Sequence, residues 1–252
     1  MRPSLRRLRG ASLPPVLPRG RSGGVRAART AALEAGEPVR AAAMVSCMPA
    51  ETTAARARFH VVFVCTGNRA RSALAEGFLR AKSRDEAVRV ESYGTLELGP
   101  VPPLPEAIAA AAALGLDIRD HRARSLEGVR LDDADLVVGF EPVHVAAAVV
   151  DAGASRERTF MFREVAALLQ DLDPTGDGEL LEPRAAIALA HACRSTEQWS
   201  SLSMADPSGK SRRIYEETAT VIDVLTSMLA SRLFGWSPDR QPSARTHGPG
   251  VV

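Results

Sequence analysis

His60-Val-Val-Phe-Val-Cys65-Thr-Gly-Asn-Arg-Ala-Arg71-Ser72 is the stretch that decides the fold. A short β-branched and aromatic run ends at a Gly67-Asn68 turn and gives way to a helical pattern from Ala73 to Ala81, which reads as strand, loop, helix. The same alternation continues outward. Val88 to Tyr93 is expected to be a strand, Gly94 to Pro105 a Pro/Gly-rich loop, Glu106 to Leu114 a helix and Ala134 to Phe140 a strand. Pro142 to Val150 reads as a helix, Arg158 to Phe162 as a fourth strand and Arg163 to Gln170 as the helix after it. Strands alternating with helices imply a parallel sheet covered on both faces.

The remaining segments frame this unit. Residues 1–58 are rich in Arg, Ala, Pro and Gly and hold no apolar period, so they are expected to be disordered. An upstream start, with Met44 or Met48 the true one, explains them better than a transit peptide, which would need an amphipathic period. Asp171 to Glu182 is a polar loop, and Pro183 to His191 is helical. From Ser211 to Leu233 a last helix places Ile214, Thr218, Val221, Ile222, Leu225, Met228 and Leu229 on one face, and Trp236 to Val252 is expected to be a disordered tail.

Composition narrows the function. The first 58 residues carry eleven Arg against Glu34, Glu37 and Glu51, a surplus of +8, whereas the whole chain sums to +2, so the body is acidic by −6. Such a body has no field to draw it to nucleic acid. Three well-separated cysteines, Cys47, Cys65 and Cys193, support neither a disulfide framework nor a metal site, and a reducing compartment, the cytoplasm, fits them best. The longest apolar runs, Ala107 to Leu116 and Val143 to Val150, are too short to span a bilayer, so no membrane insertion is expected.

The opening loop carries the chemistry. A cysteine is a nucleophile only as thiolate, and a helix N-terminus and a nearby cation both lower its pKa. Cys65 would have both, since Arg71 lies six positions on at the start of the helix. The backbone N–H groups of Thr66, Gly67, Asn68, Arg69, Ala70 and Ser72 can curl into an anion nest at the helix N-terminus, with Gly67 and Asn68 taking the left-handed conformations the curl needs. Arg71 offers a bidentate fork to phosphoryl oxygens. Ser72 can donate to the Cys65 sulfur. A buried structural cysteine ahead of an ordinary helix is the bland reading; the loop's place at the carboxyl end of a parallel strand weighs against it.

From about Phe59 to Phe234 the chain resembles the low-molecular-weight protein tyrosine phosphatases, which share a fold with thioredoxin-type arsenate reductases. The resemblance rests on the loop itself, Leu74-Ala75-Glu76, Ser92-Tyr-Gly-Thr95, His121-Arg-Ala-Arg124, and Asp206-Pro207 before the last helix with Tyr215-Glu-Glu. It implies an α/β, three-layer doubly wound domain over residues 59–235, with a four-stranded parallel sheet in the order 2-1-3-4 and helices on both faces. It implies a phosphatase that hydrolyses a phosphate monoester, phosphotyrosine on protein or a small ester, through a phosphocysteine, with no cofactor and no metal. Cys65 would attack phosphorus, Arg71 would hold the oxygens, and Asp206 would serve as acid and then base, with Asp173-Pro174 a second candidate of the same form. Asn68, Ser72, Ser92 and His121 would fix the loop.

The departures from the family's pattern are as informative. Ala70 stands where a second loop cysteine is frequent, Ser208-Gly209 where aromatic residues often wall the site, and Arg69 where tyrosine-specific members carry an aliphatic residue. An arginine there would favour an acidic or multiply phosphorylated substrate unless it is merely solvated. Two other classes stay open on sequence: an arsenate reductase coupled to a small thiol, and a non-catalytic phosphate-binding module.

Overall fold

In β1, Phe59–Cys65, every residue is buried, which marks a central strand packed on both faces. Its side chains alternate. Phe59, Val61, Phe63 and Cys65 enter one apolar cluster, while Val62 and Val64 enter another. The structure is a computed structural model and describes residues 58–83, 88–172, 180–195 and 202–239. The expected disordered arm before Arg58 and most of the expected tail lie outside the described residues.

β1 is joined in parallel to β2, Val88–Gly94, on one side and to β3, Leu136–Gly139, on the other, and β3 pairs with β4, Thr159–Met161. The sheet order is 2-1-3-4, as expected. Helices α1 (Arg71–Lys82), α2 (Pro105–Ala113), α4 (Phe162–Asp171), α5 (Pro183–Ala192) and α6 (Arg212–Phe234) contribute to the first cluster. Helix α3 (Pro142–Val150) covers the other face with Leu126, Leu131 and Ala134. Strand β3 is shorter than the sequence suggests, and so is β4, the latter because Arg156–Arg158 forms a 3-10 turn and α4 begins directly at Phe162. Among the described residues no helix is long and apolar enough to cross a membrane.

The face of α6 is rotated relative to the sequence reading. Ile222 and Leu229 are buried, but Ile214 is exposed and Val221, Leu225 and Met228 are only partly covered; Tyr215, Ala219, Thr226, Ala230 and Leu233 are buried instead. Small Ala219 and Ala230 let α6 sit close to its neighbours, and Thr226 can be buried because its hydroxyl donates to the Asp223 carbonyl. The helix ends at Gly235, whose φ of 68° is left-handed, with Gly235 N–H on the Ser231 carbonyl and Trp236 N–H on that of Ala230. That turn folds Trp236 back against the core, so this residue belongs to the domain rather than to the tail.

The register places the site. Cys65 aligns with Gly94 and Val64 with Gly139, so three strands end together at one edge. A Cβ on Gly94 would lie 2.9 Å from the Thr66 carbonyl oxygen and 3.0 Å from the Asn68 nitrogen, so only glycine lets the loop after β1 pass this close. Gly94→Ala is expected to cost roughly 1–3 kcal/mol of stability by forcing that backbone apart. Urea unfolding of the variant checks this, and an unchanged midpoint would contradict it.

Candidate active site

Between β1 and α1 the chain reverses over five residues, and the reversal is made by Asn68, whose φ is 51°. Gly67 needs no left-handed conformation, contrary to the sequence reading; the special backbone falls on Asn68 alone. The first turn of α1 contains no acid and receives no side-chain cap, so its free amides remain available to an anion.

Asn68 is fully buried and its amide is oriented by its partners. Its Oδ1 accepts the Arg124 backbone N–H at 2.8 Å, so Nδ2 must donate, to Ser92 Oγ at 2.7 Å and to Ser72 Oγ at 2.8 Å. Ser92 passes its own proton to Glu76, a carboxylate that also holds Arg124 at 2.9 Å and Arg80 at 2.7 Å. Ser72, already accepting from Asn68, is left with its proton facing Cys65 Sγ at 2.9 Å. The sulfur also accepts the Asn68 N–H at 3.3 Å. The buried sulfur is thus met by two hydrogen-bond donors. His121 Nε2 lies 2.8 Å from the Asn68 carbonyl, which can only accept, so the ring carries its proton there. Burial keeps His121 below its ordinary pKa, despite that hydrogen bond and nearby Glu76.

A second network surrounds Arg71, which is 1% exposed. Nη1 donates to Glu141 Oε2 at 2.6 Å and to the Met204 carbonyl at 2.8 Å; Nη2 donates to Asp206 Oδ2 at 2.6 Å and to Thr66 Oγ1 at 3.1 Å. A buried cation stands only when so compensated. Burial alone would raise the Asp206 pKa, but the Ser208 N–H and hydroxyl, both on Oδ1, together with Arg71, hold it below the usual carboxylate range. His144 is fully buried: its Nδ1 accepts the Glu141 N–H at 3.1 Å and its Nε2 lies 3.1 Å from Thr66 Oγ1. Burial, with Arg71 nearby, lowers the His144 pKa to about 4.

Cys65, Thr66, Arg71 and Asp206 border a cleft of about 410 Å³ that is also lined by Leu96, Leu98, Glu106 and Tyr215, with the remaining groups of both networks behind it. The sequence-nominated Cys65, Arg71, Asp206, Asn68, Ser72, Ser92 and His121 are thus brought together. Arg69 is not simply a free rim cation, because its Nε donates to the Pro102 carbonyl at 2.8 Å and ties the 95–104 loop to the site. Asp173 lies outside the described residues, as does Cys47. Cys193 closes α5 at the opposite end of the sheet, where Arg184 holds Asp135 ahead of β3 and Arg194 reaches the backbone at the start of β4. It cannot meet Cys65 there. Sequence reasoning assigned no role to Glu141 and His144, although Glu141-Pro142 follows β3 at the same edge, nor to Glu76 and Arg124, which close the network around Asn68.

A family profile described as low molecular weight phosphotyrosine protein phosphatase matches residues 60–179. A low molecular weight protein-tyrosine-phosphatase of Streptomyces coelicolor is 33% identical over 126 residues, which are 46% of this chain and 75% of that protein. The chain belongs to the low-molecular-weight phosphatase family. Etp of Escherichia coli, of the same description, is 32% identical over 40% of this chain and 68% of its own. For the probable phosphatase EpsP of Ralstonia solanacearum the identity is 37%, and the chain spans about half of that relative, 52%. Among solved structures, the family's enzyme from T. tengcongensis superposes with a TM-score of 0.51 at 26% identity, covering 69% of this chain and 99% of that one. The arginine phosphatase YwlE from Geobacillus stearothermophilus gives 0.52 at 21%, covering 69% and 92%, which bears on the fold alone.

The depressed His144 pKa has a stability consequence. The unfolded chain takes up a proton near pH 6.5 that the folded one refuses until about pH 4, so this contribution is complete above pH 6.5 and falls as the pH drops through that window. The loss reaches about 3 kcal/mol. His144→Asn is expected to be less sensitive than the wild type between pH 6.5 and 4 in thermal unfolding; identical pH dependence of the two proteins would contradict this.

Proposed function

We propose that this protein is a phosphatase that hydrolyses phosphate monoesters, foremost phosphotyrosine on protein, through a phosphocysteine on Cys65. The observation that carries the reading is the meeting of three groups on one cleft: a buried sulfur with two hydrogen-bond donors, a guanidinium beside it, and Asp206 bound to that guanidinium.

The site residues divide the reaction between them. The loop amides from Thr66 to Ser72 and the Arg71 fork bind the three non-bridging oxygens, where charge accumulates in the transition state. The Cys65 thiolate attacks phosphorus, the bond to the ester oxygen breaks, and Asp206 gives its proton to that oxygen. In the second step water attacks the phosphocysteine, Asp206 takes the water's proton, and the phosphorus–sulfur bond breaks to return a thiolate that Ser72 and the Asn68 N–H receive. Ser92 and His121 act through Asn68 on the loop's shape.

The pairing of Asp206 with Arg71 explains how a carboxyl held below its usual range can act as an acid. A dianionic phosphoryl group takes the Arg71 donors for itself and sets negative charge beside Asp206. Both changes raise the proton affinity of the carboxyl, so the acid is charged by the substrate it serves. The apolar Leu96 and Leu98 accept the organic part of the ester, while Ser208 lies beside Asp206 and Tyr215 is the aromatic residue that lines the cleft. Free Cys65 and Cys193 suit a reducing, cytoplasmic compartment.

The full-length chain is expected to turn over p-nitrophenyl phosphate, and Cys65→Ser to abolish turnover. Asp206→Asn is expected to slow phenyl phosphate hydrolysis by roughly 10²–10⁴-fold. It should slow p-nitrophenyl phosphate less, because p-nitrophenolate departs without a proton. Full activity in Cys65→Ser, or equal losses for the two esters in Asp206→Asn, would overturn the assignment of those roles.

A further inference from the structure

Thr66 contributes more than a backbone amide, and the reason lies in His144. The Glu141 N–H occupies Nδ1 of the His144 ring, so Nδ1 is a lone pair and the ring's single proton is on Nε2. That proton is directed at Thr66 Oγ1, 3.1 Å away. Arg71 Nη2, itself only a donor, lies 3.1 Å from the same oxygen. Both lone pairs of the Thr66 hydroxyl are therefore filled by donors, and the hydroxyl's own hydrogen must point elsewhere. Among the described residues it meets no acceptor. Thr66 is partly open to solvent and lines the cleft with Cys65, Arg71 and Asp206, so the remaining direction is into the cleft.

The geometry points to the Thr66 hydroxyl as a hydrogen-bond donor to the phosphoryl group, and to His144 as the positioning residue that fixes its direction. This assignment rests on the reading of the cleft as a phosphate site. The fully buried imidazole is suited to the task because it stays neutral, with one proton on one nitrogen. An alcohol without a fixed partner would lose rotational freedom on binding and could accept instead of donate; here it is preset as a donor before the anion arrives. When the phosphoryl group draws Arg71 toward itself, the His144 hydrogen bond still holds Thr66 in place.

The experiment measures binding of inorganic phosphate to the full-length protein by calorimetry, alongside urea unfolding. Thr66→Val keeps the shape and removes the hydroxyl, and it is expected to weaken phosphate binding by roughly ten- to a hundredfold, the loss of one hydrogen bond to a charged group. In His144→Asn the shorter side chain can still accept the Glu141 N–H but cannot reach Thr66. It should remain folded at neutral pH and bind phosphate several-fold more weakly. Combined with Thr66→Val, the same change should have no further effect, because its route is already cut. Wild-type affinity in Thr66→Val, or an equal loss from His144→Asn in both backgrounds, overturns the inference while leaving the phosphatase reading intact. A wild-type chain that binds no inorganic phosphate overturns that reading, and the inference with it.

Discussion

The loop amides can converge on an anion only if the chain reverses between the end of β1 and the start of α1, and Asn68 makes that reversal. Its left-handed backbone turns the chain, and its side chain closes the turn by bonding to β2 through Ser92, to α1 through Ser72 and to the 120s loop through the Arg124 N–H. Because the Asn68 amide has only one orientation that satisfies all three, it also sets the direction of every proton beyond it. The run from Glu76 through Ser92 and Asn68 to Ser72 ends with a hydroxyl proton on the Cys65 sulfur. A single buried amide thus couples the shape of the loop to the hydrogen bonds that the Cys65 sulfur receives.

Arg71 is the electrostatic counterpart. Burying a guanidinium costs several kcal/mol unless its donors are met, and Glu141, Asp206, Thr66 and the Met204 carbonyl meet four of them. Of these partners Asp206 and Thr66 line the cleft, whereas Glu141 and Met204 do not; in the proposed reaction Asp206 is the one that an anion displaces. The segment before α6 enters the site through this interaction, since Met204 N–H is also fixed to the Phe140 carbonyl at 2.8 Å. In the proposed reaction the position of the acid, Asp206, therefore depends on the same arginine that would bind the substrate.

Much of this was legible in the sequence. The continuous apolar run into Cys65, followed by Gly67-Asn68 and a helix, reads as a buried parallel strand with a ligand loop at its carboxyl end, which nominates Cys65 and Arg71; Asp206 comes from the family resemblance alone. Contributions that depend on three-dimensional register were not legible. Glu141 and His144 lie some 70 residues from the loop and reach it only because Gly139 pairs with Val64. Their types gave no warning, since a glutamate before a proline reads as a helix start and a histidine among valines and alanines as core. The rotated face of α6 was missed for a related reason: the helix buries small residues where close approach matters more than hydrophobicity. Trp236 reads as tail in the sequence because a left-handed glycine that folds the chain back leaves no periodic signature.

The central claim is that a covalent bond forms between Cys65 and phosphorus. Rapid quenching of the Asp206→Asn variant during turnover of p-nitrophenyl phosphate, followed by mass spectrometry of acid-stabilised peptides, tests it most directly, because loss of the base slows breakdown of the intermediate. The account predicts a phosphoryl group on the peptide that contains Cys65, and on no other. Turnover with that peptide unmodified, or with the phosphoryl group on a different residue, would contradict it.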